Sequence, residues 1–131
     1  MVAVDTNVLV RLLTGDNPAQ FKASAQLFAT EEIFITDTVL LETEWVLRAA
    51  YELTPKDVVA AFRRLLGLRN VSLANAQTAA LAIDWHERGL DFADAFHLAL
   101  CQHLRVLNTF DSAFIKRAKA LGKCMVRRPL A

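Results

Sequence analysis

Short apolar, β-branched runs alternate along the chain with longer stretches whose apolar positions recur at helical spacing. Val2–Asp5 reads as a buried strand. Thr6–Leu13, apolar at 8, 9, 10, 12 and 13, predicts a short helix stopping near Gly15. Asn17-Pro18, with Gln20 three residues after the cap, opens a second helix to about Thr30. Ile33–Thr36 is a strand, and a helix follows from about Thr38 to Tyr51. Thr54-Pro55-Lys56-Asp57 caps a helix ending at Gly67, and Val71–Leu73 is a third strand. Asn75–Arg88 and Asp91–Leu104 read as helices, the second apolar on almost every side. Val106–Asn108 is a strand, Asp111–Leu121 a helix, and Cys124–Val126 the last strand.

Strands alternating with helices imply an α/β fold, a parallel sheet with helices on both faces. In such folds ligands bind beyond the carboxyl ends of the strands. Asp5 ends the first strand and Asp111 follows the fourth. Glu42 and Asp94 lie on helices able to lean over the same edge.

Each of these four carboxylates adjoins or interrupts an apolar run. An ionised carboxylate near a core is costly unless a cation or a hydrogen-bond network compensates it. Four acids on separate elements point to one shared compensator, a hard divalent cation. Carboxylates brought within about 5 Å repel by roughly 3 kcal/mol per pair at an effective dielectric near 20, so without a cation they hold protons or spread apart. Each acid also has a structural role available. Asp5 and Asp111 suit N-caps, of the helices at Thr6 and Ser112. Asp91 reads as the N-cap of its helix, which leaves Asp94 at N3, enclosed by Phe92, Ala93, Ala95, Phe96 and Leu98. Glu44 has Arg48 four residues on and is explained as an ion pair on the solvated face. Glu42 has Val39, Trp45 and Val46 around it and no basic partner, which makes it the candidate. Thr6 and Thr109 add hydroxyls at the two strand ends.

At 131 residues, with 54% hydrophobic and 22% charged, the chain suits a single domain, residues 1–131. No run of apolar residues is long enough to span a membrane, and no leader precedes the first strand, so a cytoplasmic protein is expected. Cys101 and Cys124 lack CxxC spacing and read as two small buried thiols. His97 and Cys101, four apart, have no second pair to complete a zinc site. The net charge of +1 hides an asymmetry. All 14 acids lie at or before Asp111 beside nine of the 15 bases, leaving −5 there, while the remaining six bases give +6 after it. Such a tail suits either a polyanion or a solvated helix end whose cations favour its dipole. On the first reading Lys116, Arg117 and Lys119 contact an RNA backbone.

Four segments, in order and spacing, resemble a PIN domain, and specifically a VapC-like toxin ribonuclease of a type II toxin–antitoxin system. They are Val4-Asp5-Thr6-Asn7-Val8-Leu9, Leu41-Glu42-Thr43-Glu44-Trp45-Val46-Leu47, Asp91-Phe92-Ala93-Asp94-Ala95-Phe96-His97-Leu98-Ala99 and Asn108-Thr109-Phe110-Asp111-Ser112-Ala113-Phe114. The resemblance implies a three-layer α/β/α sandwich around a central parallel sheet. It implies cleavage of RNA dependent on Mg2+ or Mn2+, restraint by a cognate antitoxin protein, and a homodimer. It places Asp5, Glu42, Asp94 and Asp111 on the family's acidic positions, as catalytic and metal-binding residues, and Thr6 and Thr109 on its accessory hydroxyls.

Two rivals stand beside the endoribonuclease. A phosphatase with an aspartyl nucleophile resembling the haloacid dehalogenases wants a second Asp two residues after the first, where this chain has Asn7. A non-catalytic partner-binding module would use the acids only as caps, and its melting temperature would not respond to Mg2+.

Overall fold

The computed structural model describes residues 1–130. They form two compact units, one spanning Met1–Ala76 and one running from Gln77 onward, and each is described by itself. In order the first holds β1 (Val2–Ala3), α1 (Thr6–Thr14), α2 (Pro18–Thr30), β2 (Ile33–Phe34), α3 (Asp37–Ala49), α4 (Pro55–Leu66) and β3 (Val71–Ser72). The second holds α5 (Ala76–Glu87, its first residue in the other unit), α6 (Phe92–Leu100), β4 (Val106–Asn108), α7 (Ser112–Arg117) and β5 (Met125–Arg127).

The fold is α/β, and every strand pairing is parallel, as the alternation of elements implies. Among the described residues the hydrogen-bonded ladders are two, β1-β2-β3 in the first unit and β4-β5 in the second. In the first, Val2 pairs with Ile33 and Ile33 with Val71. The strands are two or three residues long, shorter than their apolar runs. Val4 and Ile35 stay buried just past the ends of β1 and β2. The Asn70 side chain donates to Phe28 O at 2.6 Å and Glu31 O at 2.8 Å, tying the end of α2 to the start of β3.

The cap signatures place the helix starts. Asn17 accepts from Gln20 N, and Thr54 and Asp57 form a reciprocal capping box. The first unit's core is built from Leu9, Val10, Ile33, Leu40, Leu47, Val58, Phe62 and Leu65. In the second, Phe92 meets both His86 and Phe96 edge-on, over buried Ile83, Trp85 and Leu98.

Two helices are shorter than their sequence pattern. Instead of reaching Leu104, α6 stops at Leu100, because the Cys101 N–H turns back to Leu98 O and the Gln102 side chain donates to the same carbonyl. Instead of reaching Leu121, α7 stops at Arg117, and the chain turns through Ala120 at φ 64° before β5.

Candidate active site

In the first unit, β1 delivers Asp5 to the start of α1, where its Oδ1 accepts from Val8 N at 3.2 Å. Asp5 is therefore a true N-cap, with an extended backbone and a second oxygen left over. Thr6 is buried, and its Oγ1 donates to Glu42 Oε1 on α3. That bond holds Glu42 beside the Asp5-Thr6 corner and leaves Oε2 open.

The face assigned to Glu44 is corrected. Glu44 is 3% exposed, whereas Glu42 is exposed. Helix α3 turns Leu40, Thr43, Glu44 and Leu47 inward, a spacing of three and four that sets one buried face. The ion pair itself forms as expected, with Arg48 Nε 2.9 Å from Glu44 Oε2. The half-exposed Arg48 chain reaches in to neutralise a carboxylate that would otherwise be costly to bury. A buried charge with its own partner is accounted for structurally, so Glu42 remains the acid available for chemistry.

In the second unit, Asp91 caps α6, its Oδ2 accepting from Asp94 N at 3.2 Å. Asp94 sits at N3, half-buried among the apolar residues around it. Asp111 leaves β4 and caps α7, its Oδ1 accepting from Ala113 N at 3.0 Å and Phe114 N at 3.1 Å. Both bonds fall on one oxygen, so Oδ2 is unengaged. Thr109 Oγ1 accepts from Asp111 N at 3.1 Å and fixes the turn that carries this acid.

Asp91, Asp94 and Asp111 line one recess of about 380 Å³, together with Leu90, Ala113, Phe114 and Arg117. Burial, then the charges of Asp91 and Asp111, raise the Asp94 pKa, with His97 opposing. The recess thus concentrates negative charge around a partly desolvated carboxyl. Asp91, which the sequence marks only as a cap, is part of this wall, and its position one helical turn before Asp94 is the signal that could have found it. Of the three bases expected to meet RNA, Arg117 borders this recess, Lys119 lines another of about 300 Å³, and Lys116 is exposed.

Among the described residues no group of three or more His, Cys, Asp or Glu side chains forms a ready metal cage. The donors nonetheless suit a hard cation. Mg2+ is commonly held by one or two carboxylates, keeping several waters for itself and for phosphate oxygens. Asp94 and Asp111 offer such a pair in the second unit.

No curated protein matches the chain at a significant level. Among solved structures it is similar to the VapC20 toxin of Mycobacterium tuberculosis, described as cleaving the sarcin-ricin loop. Identity is 24% over 98% of this chain and 100% of that one, at a TM-score of 0.44. The PIN domain family model matches residues 2–120. With nine-tenths of its length so matched, the chain belongs to the PIN domain family.

Proposed function

We propose that this protein is a metal-dependent endoribonuclease that hydrolyses RNA phosphodiester bonds, the toxin of a toxin–antitoxin pair. The observation that carries the reading is the recess in which Asp94, its pKa raised, shares a wall with Asp91 and Asp111, in a chain of the PIN domain family. Asp5 and Asp94 are assigned as the main ligands of Mg2+, with Mn2+ as a substitute, and Glu42 and Asp111 as completing the site or orienting the water. Bound there, the cation would neutralise these acids and offset the charge developing on the phosphate.

The chain's own residues do the rest. Thr6 fixes Glu42 through Oε1, so Oε2 is free to accept a proton from the attacking water. The water oxygen bonds to phosphorus as the bond to the 3′-oxygen breaks, and the leaving oxygen takes a proton from solvent. The products are a 5′-phosphate and a 3′-hydroxyl. Thr109 holds the Asp111 turn, and Lys116, Arg117 and Lys119 hold the RNA backbone. In this assignment residues 1–131 act as one PIN-like domain, a cytoplasmic homodimer restrained by a cognate antitoxin. Among the described residues no helix is long and apolar enough to cross a membrane.

The caps made by Asp5, Asp91 and Asp111 give the non-catalytic rival its one support, since they account for three acids without a metal. One experiment separates the two. A pool of single-stranded RNA is incubated with the protein in Mg2+ or in chelator. Cleavage in Mg2+ only is expected, with Asp5→Asn and Asp94→Asn each losing on the order of 100-fold or more. The same cation should raise the melting temperature, by about 2.7 kcal/mol of stability at 100 times its dissociation constant. Undiminished cleavage by the Asn variants would overturn the assignment.

A further inference from the structure

Eight phenylalanines occur in the chain, and Phe110 is the one most out of place. Its ring is 77% exposed, while Phe114, four residues on, is 4% exposed. An apolar ring left in water gains nothing for the fold. Its chain neighbours Thr109, Asp111 and Ser112 are polar.

The backbone beneath the ring is held from several sides. Thr109 N–H donates to Arg127 O at 3.0 Å, and Asp111 N–H to Thr109 Oγ1 at 3.1 Å. Arg128 Nη2 donates to Ser112 Oγ at 2.6 Å and reaches Phe110 O at 3.4 Å. The ring therefore stands on a fixed turn, one residue before Asp111 and beside an exposed guanidinium.

Resting on the ribonuclease reading above, we infer that Phe110 stacks on an unpaired nucleobase of the RNA next to the scissile phosphate, with Arg128 beside it as the cation for the backbone. The occupant follows from complementarity. An apolar face beside a guanidinium, in a segment whose last 20 residues carry six bases and no acid, matches a base with its phosphate. Stacking on a base is tolerant of base identity but requires that the nucleotide be unpaired. Phe110 therefore selects single-stranded or looped sites over duplex.

The test uses the intact protein and short single-stranded RNAs, one set with every base present and one with a single abasic nucleotide scanned along the strand. Phe110→Ala should raise KM on the order of 10-fold with kcat nearly unchanged, and Phe110→Tyr should restore it. Wild type should lose a similar factor when the abasic nucleotide occupies one position flanking the cut, and Phe110→Ala should not respond to it. Equal sensitivity of wild type and Phe110→Ala to the abasic site, or no change in KM, overturns the inference. The second result would leave the ring to a protein partner. If wild type cuts no RNA, the ribonuclease reading fails, and stacking is judged by fluorescence anisotropy on the same strands. There Phe110→Ala must weaken binding to the complete RNA and leave binding to the abasic one unchanged.

Discussion

Asp94 carries the most consequential charge in the chain, because its surroundings oppose its ionisation. Burial and the neighbouring Asp91 and Asp111 raise its pKa above the ordinary 3.8, so the folded state holds the proton more tightly than the unfolded state. Stability contributed by this group therefore falls as pH rises from about 4 through the raised value, and the full penalty stands above it. Metal-free Asp94→Asn should melt higher than wild type at pH 7, and the advantage should vanish near pH 4. Because the side chain is half exposed, solvent screening keeps the gain below about 1 kcal/mol. Calorimetry across that range checks it, and a gain independent of pH would contradict the charge argument. The apolar enclosure of Asp94 was readable in the sequence, since its helical neighbours are nearly all hydrophobic. The phase of α3 was not. Val39, Leu40, Val46 and Leu47 put apolar residues on two adjacent faces, so periodicity alone left both Glu42 and Glu44 able to face inward. Burial of Thr43 with Leu40 and Leu47 chose the Glu44 face, and only the long Arg48 side chain makes that choice tolerable.

Between elements, a polar knot joins the end of α1 to the residues after α3. Arg11 Nη1 lies 2.8 Å from Asp16 Oδ1, and Tyr51 OH donates to Asp16 Oδ2 at 2.5 Å. Led by the Tyr51 hydroxyl and then by Arg11, these bonds pull the Asp16 pKa down to about 2. Here the sign is the reverse of Asp94: the stabilisation is present above the ordinary 3.8 and is lost as pH falls through about 2. Tyr51→Phe should move the Asp16 titration upward toward 3.8, followed through its carboxyl carbon by NMR, and an unmoved titration would show that Arg11 and Thr14 hold it without the Tyr51 hydroxyl. At a helix start, Thr54→Ala removes half of the capping box and should cost about 1 kcal/mol in urea denaturation. Helix starts were legible because caps are local chemistry, one side chain bonding an amide three residues on. The end of α6 was not, because it depends on the side chain of Gln102. Its Oε1 accepts from Lys123 N at 2.6 Å, a contact 21 residues away in sequence. Gly122 lies so close to that side chain that an added Cβ would stand 2.2 Å from Oε1.

For the whole molecule, the alternation of strands and helices was enough to give parallel pairing. The break between the three-stranded and two-stranded ladders left no mark in the hydrophobic pattern, because the strands on either side of it are short apolar runs of the same kind. Charge is the property that acts at this scale, and it divides the two readings of the tail. If Lys116, Arg117 and Lys119 neutralise RNA phosphates, each releases counterions, and the logarithm of affinity falls against log salt by about 0.7 per contact on a single strand. Arg117→Gln should then shallow that slope by about 0.7, and the triple Gln variant by about 2. If the bases only serve the helix, the slope stays as it is. Lys116 and Arg117 lie in the last turn of α7, where their loss would instead cost about 0.3–1 kcal/mol of stability. Titrating RNA binding at several salt concentrations, with melting curves on the same variants, measures both effects. A changed slope with little change in melting assigns these cations to the substrate, because a helix dipole has no means of sensing how many ions an RNA strand releases.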